Sequence, residues 1–168
     1  MQKQNTGIAP LTTKDRMALA LIDHVQPTHF VTLSLCQARV ITCENGMKTY
    51  VKGDDTIYQQ AHASFIRSLS KRFVTRKVWR RYPKPIIPNA CAIEGGSNGE
   101  RYHLHLILAK PEHVTDDRFC RGIRGIAHGH PWIMNGDHAV NIQALADDRE
   151  AFYAAYYSVK RGVDRICL

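Results

Sequence analysis

Several features are absent from this sequence, and each absence excludes a class of protein. No apolar run approaches the roughly 20 residues of a membrane-spanning helix, and the first residues lack the apolar core of a signal peptide. The five cysteines are odd in number and scattered without a C-x-x-C pair, which argues against a disulfide framework or a thiolate zinc site. There is no internal repeat and no P-loop. We therefore expect a cytoplasmic protein, free of the membrane, with no ATP-driven motor in this chain.

Acidic residues are also scarce, since 15 Asp and Glu face 23 Lys and Arg, giving a net charge of +8. The imbalance is strongest between Phe65 and Lys84, where eight cations occur with no acid and with aromatic residues among them. Such a run is often only a solvated helix face, but interleaved aromatics favour contact with a nucleic-acid backbone. The candidate DNA-binding residues are Arg67, Lys71, Arg72, Arg76, Lys77, Arg80, Arg81 and Lys84.

A predicted β-hairpin around residues 90–111 carries the clearest chemical pattern. His103 and His105 alternate with leucines, so both imidazoles share one face of a strand. Asn98-Gly99 suits a type I′ turn, and counting back from that turn puts Glu94 directly opposite His103 and Ala92 opposite His105. The sequence thus predicts one carboxylate and two imidazoles on the same small surface.

One carboxylate oxygen and two neutral imidazole nitrogens make a plausible site for a divalent cation. The alternative is that His103 and His105 are merely two surface residues on a strand. A second His-x-His, His128 and His130, is predicted to lie in a loop because Gly129 and Pro131 accompany it, and the alternative is an accessory role beside the site.

The element order predicts an α+β fold. Strands and helices are expected in the order β-α-β-β-α-β, which describes a four-stranded antiparallel sheet with two helices on one face, the ferredoxin-like or RRM-like plan. Residues 1–27 form an N-terminal extension with a possible short helix around Met17–Ile22, and residues 28–168 form one domain. The uncovered sheet face is expected to be a polar working surface, formed by Thr32, Ser34, Glu94, His103, His105, Asn141 and Gln143.

The final predicted helix begins after Asp147 and contains three tyrosines. Tyr153 and Tyr157 share a face, Tyr156 points about 100° away, and Lys160 is a neighbour of Tyr157 at three-residue spacing. Tyrosines that pack at a core boundary are the ordinary interpretation of this pattern. For Tyr157 the adjacent ammonium offers a chemical alternative, since it favours a phenolate nucleophile and neutralises a phosphate.

Three of these segments together resemble a known family. The strand FVTLSL, the hairpin EGGSNGERYHLHL and the helix motif YSVK resemble, in this order, the HUH endonucleases, and specifically the single-tyrosine rolling-circle replication initiators (Rep proteins) of plasmids, phages and single-stranded DNA viruses. The resemblance extends over roughly residues 29–162. The combination of motifs is far more specific than any one of them.

The resemblance implies a site-specific nickase of single-stranded or hairpin origin DNA. Glu94, His103 and His105 are expected to hold Mg²⁺ or Mn²⁺, Tyr157 to attack the scissile phosphate and become a 5′-phosphotyrosine, and Lys160 to orient phosphate or phenol. A separate helicase and a host polymerase are the expected further partners, in a bacterial cell or a virus-infected host cell.

Three alternatives stay open at this point. Tyr153 and Tyr157 have the spacing of two-tyrosine initiators, and HUH transposases and relaxases share the same chemistry. A non-catalytic single-strand-binding module on an RRM-like sheet is the third. Such a module is expected to show aromatic residues for base stacking where this chain has Glu94, His103 and His105, which disfavours it.

Overall fold

The computed structural model describes residues 10–74, 80, 87–96, 100–160 and 165–168. Within these ranges no helix is long and apolar enough to cross a membrane. In chain order the elements are α1 (Thr13–Val25), β1 (His29–Ser34), β2 (Ala38–Thr42), β3 (Lys48–Lys52), α2 (Asp55–Phe73), β4 (Asn89–Glu94), β5 (His103–Leu108), α3 (Asp116–Gly129), a 3₁₀ turn (Asp137–Ala139), β6 (Val140–Ala144), α4 (Asp148–Val159) and β7 (Ile166–Cys167).

The predicted α+β class is confirmed, but the main sheet has five strands where four were expected. All its pairs are antiparallel, and the order is β6-β1-β5-β4-β7. The additional strand β7 pairs with β4 through Cys91 with Cys167 and Ala92 with Ile166. A strand of two residues has no readable alternation, and for that reason the sequence pattern gave no sign of it.

A separate two-stranded sheet was also missed. Strands β2 and β3 pair antiparallel, and their turn includes Gly46 at φ +79°. The Glu44-Asn45-Gly46 turn signal was visible in the sequence, but the flanking strands lie on the surface and lack an alternation of buried and exposed residues. Without a buried face, a hairpin gives no period-two hydrophobic pattern.

Helix boundaries follow their capping residues. Thr12 accepts a hydrogen bond from the Asp15 N–H in a full capping box, and Asp54, Thr115 and Asp147 likewise accept from the first turns of α2, α3 and α4. Helix α3 differs from expectation at its end, because it extends through His128 and Gly129 and is capped by His130. The predicted loop there was wrong, since Pro131 restricts only the residue before it and Gly129 is accommodated in the last turn.

One face of the sheet packs against α2 and α3. This main core contains the aliphatic residues of β1 and β5, as the alternation predicted, together with the buried rings of Tyr58, Phe65 and Phe119. Gly122 of α3 faces the Phe73 ring of α2 at a position where a Cβ atom would clash.

The opposite face is not fully open, contrary to expectation. Helices α1 and α4 cover part of it and form a second apolar cluster with Ala90 of β4 and Ile107 of β5. The reason lies in the strands themselves, since this face is polar at Glu94, His103 and His105 but becomes apolar toward the other end of the same strands. The polar end alone is left for a site.

Helix α4 connects the two edge strands β6 and β7 and so has to cross the whole sheet. Its 12 residues span about 18 Å, and five strands are about 19 Å wide between the outer axes. Because the helix begins beside β6, its last turn lies toward β4 and β5. Tyr157 and Lys160 are in that region of the helix.

Candidate active site

The predicted hairpin register is confirmed. Glu94 pairs with His103 and Ala92 pairs with His105, although the turn residues Asn98 and Gly99 themselves lie outside the described ranges. On the other side of β5, Ser34 pairs with His103 and Thr32 with His105. Both imidazoles therefore stand in the middle of a three-strand surface, between a carboxylate and two hydroxyls.

The two hydroxyls of β1 fix the orientation of the imidazole rings. Thr32 Oγ1 lies 3.0 Å from His105 Nδ1, and Ser34 Oγ lies 3.4 Å from His103 Nδ1. In both rings the Nδ1 side is directed toward β1, so Nε2 points away from β1, and Nε2 of His105 meets Glu94 there. Such hydrogen bonds to the second ring nitrogen are typical of histidines that bind metals.

Glu94 is the centre of the contacts. Its Oε2 lies 2.6 Å from His105 Nε2 and accepts a hydrogen bond from the Tyr157 hydroxyl at 3.2 Å, while Oε1 lies 3.4 Å from Lys160 Nζ. The Glu94 side chain is only 14% exposed, so these contacts are formed with little water around them. Strand β4 and helix α4 thus meet at this one carboxylate.

Burial and Glu94 act in opposite directions on His105. Burial lowers the pKa of His105 below its ordinary 6.5, and this effect exceeds the upward effect of the hydrogen bond and charge of Glu94. The neighbouring His103 and Lys160 lower the pKa of His105 further. His105 is therefore neutral near pH 7, which is the form that ligates metals.

Tyr157 is partly exposed and contacts residues of three elements. It is 39% exposed, its hydroxyl is bonded to Glu94, and Lys160 Nζ lies 3.4 Å from the centre of its ring. Phe30 of β1 contacts the Tyr157 ring edge-on at 5.9 Å and stacks on His105 at the same distance. The predicted pairing of Tyr157 with Lys160 is accordingly present, and Phe30 holds the phenol beside the histidine.

The donor set suits a divalent cation, but the contacts are those of a hydrogen-bonded site. Within the described part of the chain no three His, Cys, Asp or Glu side chains converge as a preformed metal site. Glu94 Oε2 and His105 Nε2 instead contact each other directly at 2.6 Å. A cation would have to replace this contact, because it binds the unprotonated imidazole nitrogen and the carboxylate. Glu94, His103 and His105 thus have donor atoms of the right type for a divalent cation, without the arrangement of a preformed site.

The two remaining tyrosines of α4 have different surroundings. Tyr156 is half-buried, stacks on Phe152 and packs into the cluster between α1 and α4, as its predicted direction indicates. Tyr153 is 59% exposed and lies one turn before Tyr157, with the Arg149 guanidinium 5.7 Å from its ring centre. Of the three hydroxyls, the one hydrogen-bonded to Glu94 belongs to Tyr157.

Of the predicted basic residues, those that the structure describes are not brought to this site. Arg67, Lys71 and Arg72 are exposed on α2, and Arg80 is exposed as well, whereas Arg76, Lys77, Arg81 and Lys84 lie outside the described residues. The basic end of α2 adjoins the start of β4, since Ser70 Oγ accepts from the Ile87 N–H. Glu94 is at the other end of β4, so these cations lie away from Tyr157.

Two contacts at the site could not be read from motifs. Phe30 lies on the polar side of β1, on the same face as Thr32 and Ser34. An aromatic residue among these hydroxyl residues was the only sign in the sequence that Phe30 belongs to the site. Arg165 forms a two-point ion pair with Asp55 and donates to the Gly95 carbonyl at 2.9 Å. It ties the end of the chain to the hairpin beside Glu94, and no local pattern in the sequence indicated this.

Comparisons of the chain with protein-family models, with curated proteins and with solved structures gave no match. Its function is therefore inferred from the contacts of the site itself.

Proposed function

We propose that this chain nicks and rejoins single-stranded DNA, with Tyr157 as the nucleophile, and that it initiates rolling-circle replication as the Rep proteins it resembles do. The observation that carries the proposal is the contact network of Glu94, with His105 at 2.6 Å, Tyr157 at 3.2 Å and Lys160 at 3.4 Å. A surface tyrosine has no structural need for a half-buried carboxylate and an ammonium. A phenol that attacks a phosphodiester needs both a proton acceptor and a nearby positive charge.

In the proposed reaction the Tyr157 oxygen forms a bond to the scissile phosphorus and the bond from phosphorus to the 3′ oxygen breaks. The phenolic proton is lost toward Glu94, which already accepts it in a hydrogen bond. The leaving 3′ oxygen takes up a proton and becomes a free hydroxyl. Lys160 stabilises negative charge on the phosphoryl oxygens from its place over the face of the Tyr157 ring. Attack by a 3′-hydroxyl on the phosphotyrosine reverses these steps, so joining requires no ATP.

Glu94, His103 and His105 would hold the divalent cation, Mg²⁺ or Mn²⁺. When bound, such an ion supplies polarisation of the scissile phosphate and stabilisation of the extra charge in the transition state. Thr32 and Ser34 keep the two imidazoles turned so that Nε2 faces the substrate side.

We also propose that the fold follows the ferredoxin-like plan with additions. Support comes from the four strands β6-β1-β5-β4, in which each neighbouring pair is antiparallel, and from α2 and α3, which connect β1 to β4 and β5 to β6 across one face. The hairpin β2–β3, the edge strand β7 and the helices α1 and α4 would then be additions to that plan.

Single-stranded or hairpin origin DNA is the proposed substrate, and a separate helicase and polymerase the proposed partners. The net charge of +8 favours a polyanion. The basic end of α2 would contact DNA at some distance from the nicked phosphate, because it adjoins the far end of β4.

The first test is a covalent adduct. The protein is incubated with Mn²⁺ and a pool of randomised single-stranded oligonucleotides, with and without hairpins, and denaturing gels are used to detect protein bound to DNA. We expect a denaturant-resistant adduct whose peptide map identifies Tyr157, and we expect Tyr157→Phe to abolish it. Tyr156→Phe is the matched control, since Tyr156 packs between α1 and α4 and its loss of a hydroxyl leaves the site intact.

Two outcomes would contradict the proposal. Absence of an adduct with every oligonucleotide in the pool rejects the nickase, and an undiminished adduct in Tyr157→Phe rejects the nucleophile. His103→Ala is expected to abolish the adduct while DNA binding in a gel-shift assay is retained. An unfolded His103→Ala variant, judged by circular dichroism, would instead make His103 a structural residue.

A further inference from the structure

A groove of about 270 Å³ opens beside Tyr157, on the side away from Lys160 and toward β6. Tyr157 forms one of its walls, and Phe30, Gln143 and Tyr153 form others. The apolar part of the lining comes from Leu145 and Ala154. A DNA strand bound with a phosphate at the Tyr157 hydroxyl would therefore have this groove next to it.

The two further aromatic rings of the groove differ in their packing, since Phe30 is half-buried against His105 and Tyr157, whereas the Tyr153 ring is exposed on α4. Tyr153 is 59% exposed, and its ring contacts the Arg149 guanidinium at 5.7 Å and the Phe152 ring edge-on at 6.3 Å, both on its own helix. Phe30 occupies the face of β1 that otherwise carries Thr32 and Ser34. Aromatic faces that stand open beside a nucleic-acid site offer stacking surfaces to bases, with little dependence on sequence.

Polar groups at the rim suit a base better than a phosphate. Gln143 is exposed on β6, opposite Phe30 in the strand pairing, and its amide can both donate and accept. Glu150 also lines the groove, with its carboxylate held by the Ala146 N–H at 2.8 Å. A fixed negative charge repels phosphate, whereas the N–H edge of a base can donate to it.

We propose that this groove binds one unpaired nucleobase, that of a nucleotide flanking the scissile phosphate, stacked against Tyr153 and Phe30 and contacted at its edge by Gln143. The inference rests on the proposed nickase function and adds a positioning role. A flanking base held one helical turn from Tyr157 fixes the phosphate in line with the phenol. Tyr153 is thereby assigned to substrate binding, which answers why a second tyrosine shares the face of Tyr157.

The test combines protein variants with abasic substrates. An oligonucleotide that forms the adduct is prepared with a single abasic site at each position around the nick, and single-turnover adduct formation is measured at subsaturating DNA. We expect one abasic position to slow the wild-type protein by about tenfold, the scale of one lost stacking contact. Tyr153→Ala should show a similar loss on intact DNA and no further loss at that abasic position, and Tyr153→Phe should restore the rate.

Tyr50→Ala is the matched control, because Tyr50 is a 73% exposed tyrosine on the separate sheet of β2 and β3. The inference is overturned if Tyr153→Ala forms the adduct at the wild-type rate. It is also overturned if, at every position, an abasic site slows Tyr153→Ala by the same factor as it slows the wild-type protein. Those results leave the nickase function standing. Failure of the wild-type protein to form any adduct would reject the proposed function itself, and this inference with it.

Discussion

At the scale of single residues, Glu94 connects the side chains of the site and opposes the effect of burial on the pKa of His105. Its two oxygens contact His105, Tyr157 and Lys160, so it joins the imidazole that would bind the metal to the phenol that would attack. The same carboxylate keeps the pKa of His105 from falling as far as burial alone would take it. A Glu94→Gln substitution removes the charge of Glu94 but keeps the shape of its side chain, and so tests how the charge acts on His105.

Glu94→Gln is expected to lower the pKa of His105 further. The carboxylate charge and its hydrogen bond both favour the protonated imidazole, and an amide supplies neither to the same degree. The pKa is measured by NMR titration of the His105 ring protons in metal-free buffer with a chelator. Ser34→Ala, which alters the neighbouring His103, is the comparison and should leave the His105 titration nearly in place. An unchanged or raised pKa in Glu94→Gln would mean that the contact between Glu94 and His105 does not form in solution.

At the scale of elements, α1 supports the helix that carries Tyr157. Ala18, Leu21 and Val25 of α1 pack in one cluster with Ala154 and Ala155 of α4. Small residues on α4 let the two helices and the sheet approach closely. In addition, Lys14 Nζ donates to the Lys160 carbonyl at 2.8 Å, which joins the start of α1 to the end of α4. Helix α1 is thus part of the support for the site.

Leu21→Ala is expected to destabilise the protein by about 2 to 4 kcal/mol, since Leu21 is 7% exposed and its removal leaves a cavity between α1 and α4. Leu19→Ala makes the same chemical change on the same helix, but Leu19 is 39% exposed and should cost less than about 1 kcal/mol. Urea denaturation followed by circular dichroism measures both. Equal costs for the two variants would show that α1 is not docked as described.

At the scale of the whole molecule, buried histidines link stability to pH. Burial is the largest cause of the lowered pKa values of His29, His62, His105 and His130. His29 and His62 are 1% and 5% exposed, and His62 Nε2 lies 2.8 Å from Asn89 Oδ1. In the folded protein these rings stay neutral at pH values where an unfolded chain has already taken up protons.

The free energy of unfolding is therefore expected to fall as the pH decreases below about 6.5, the ordinary histidine value, until the lowered pKa values of the folded state are reached. Well above pH 6.5 these imidazoles are neutral in both the folded and the unfolded state, so they no longer make the free energy of unfolding depend on pH. Urea midpoints at about pH 7.5 and pH 5.5 test this. His62→Gln should reduce the fall, while His138→Gln, at an exposed position, should not. Constant stability over this range would contradict it.

The hairpin was predictable from sequence because short-range rules determine it. The period-two alternation around His103 and His105 and the Asn98-Gly99 turn fixed the register that the strand pairing confirms. Helix starts were predictable for the same reason, since an Asp or Thr cap is a local signal. Tyr157 and Lys160 could be paired from helical spacing alone.

The rest of the site depends on long-range contacts that no local pattern encodes. Arg165 reaches Asp55 over 110 residues, and Tyr157 reaches Glu94 over 63. The covering of the second sheet face by α1 and α4 could not be inferred either, because Ile107 was seen as one residue in a polar row. Such contacts follow from how the elements dock, which sequence periodicity does not specify.

The crossing of α4 between the two edge strands has a mechanical consequence. If DNA becomes joined to Tyr157, a pull on the DNA is applied to a helix that lies in the chain between β6 and β7, the two edge strands of the sheet. Arg165 holds the β7 side through its ion pair with Asp55. We therefore expect the covalent complex to resist tension better than one whose tyrosine helix adjoins a single border of the sheet.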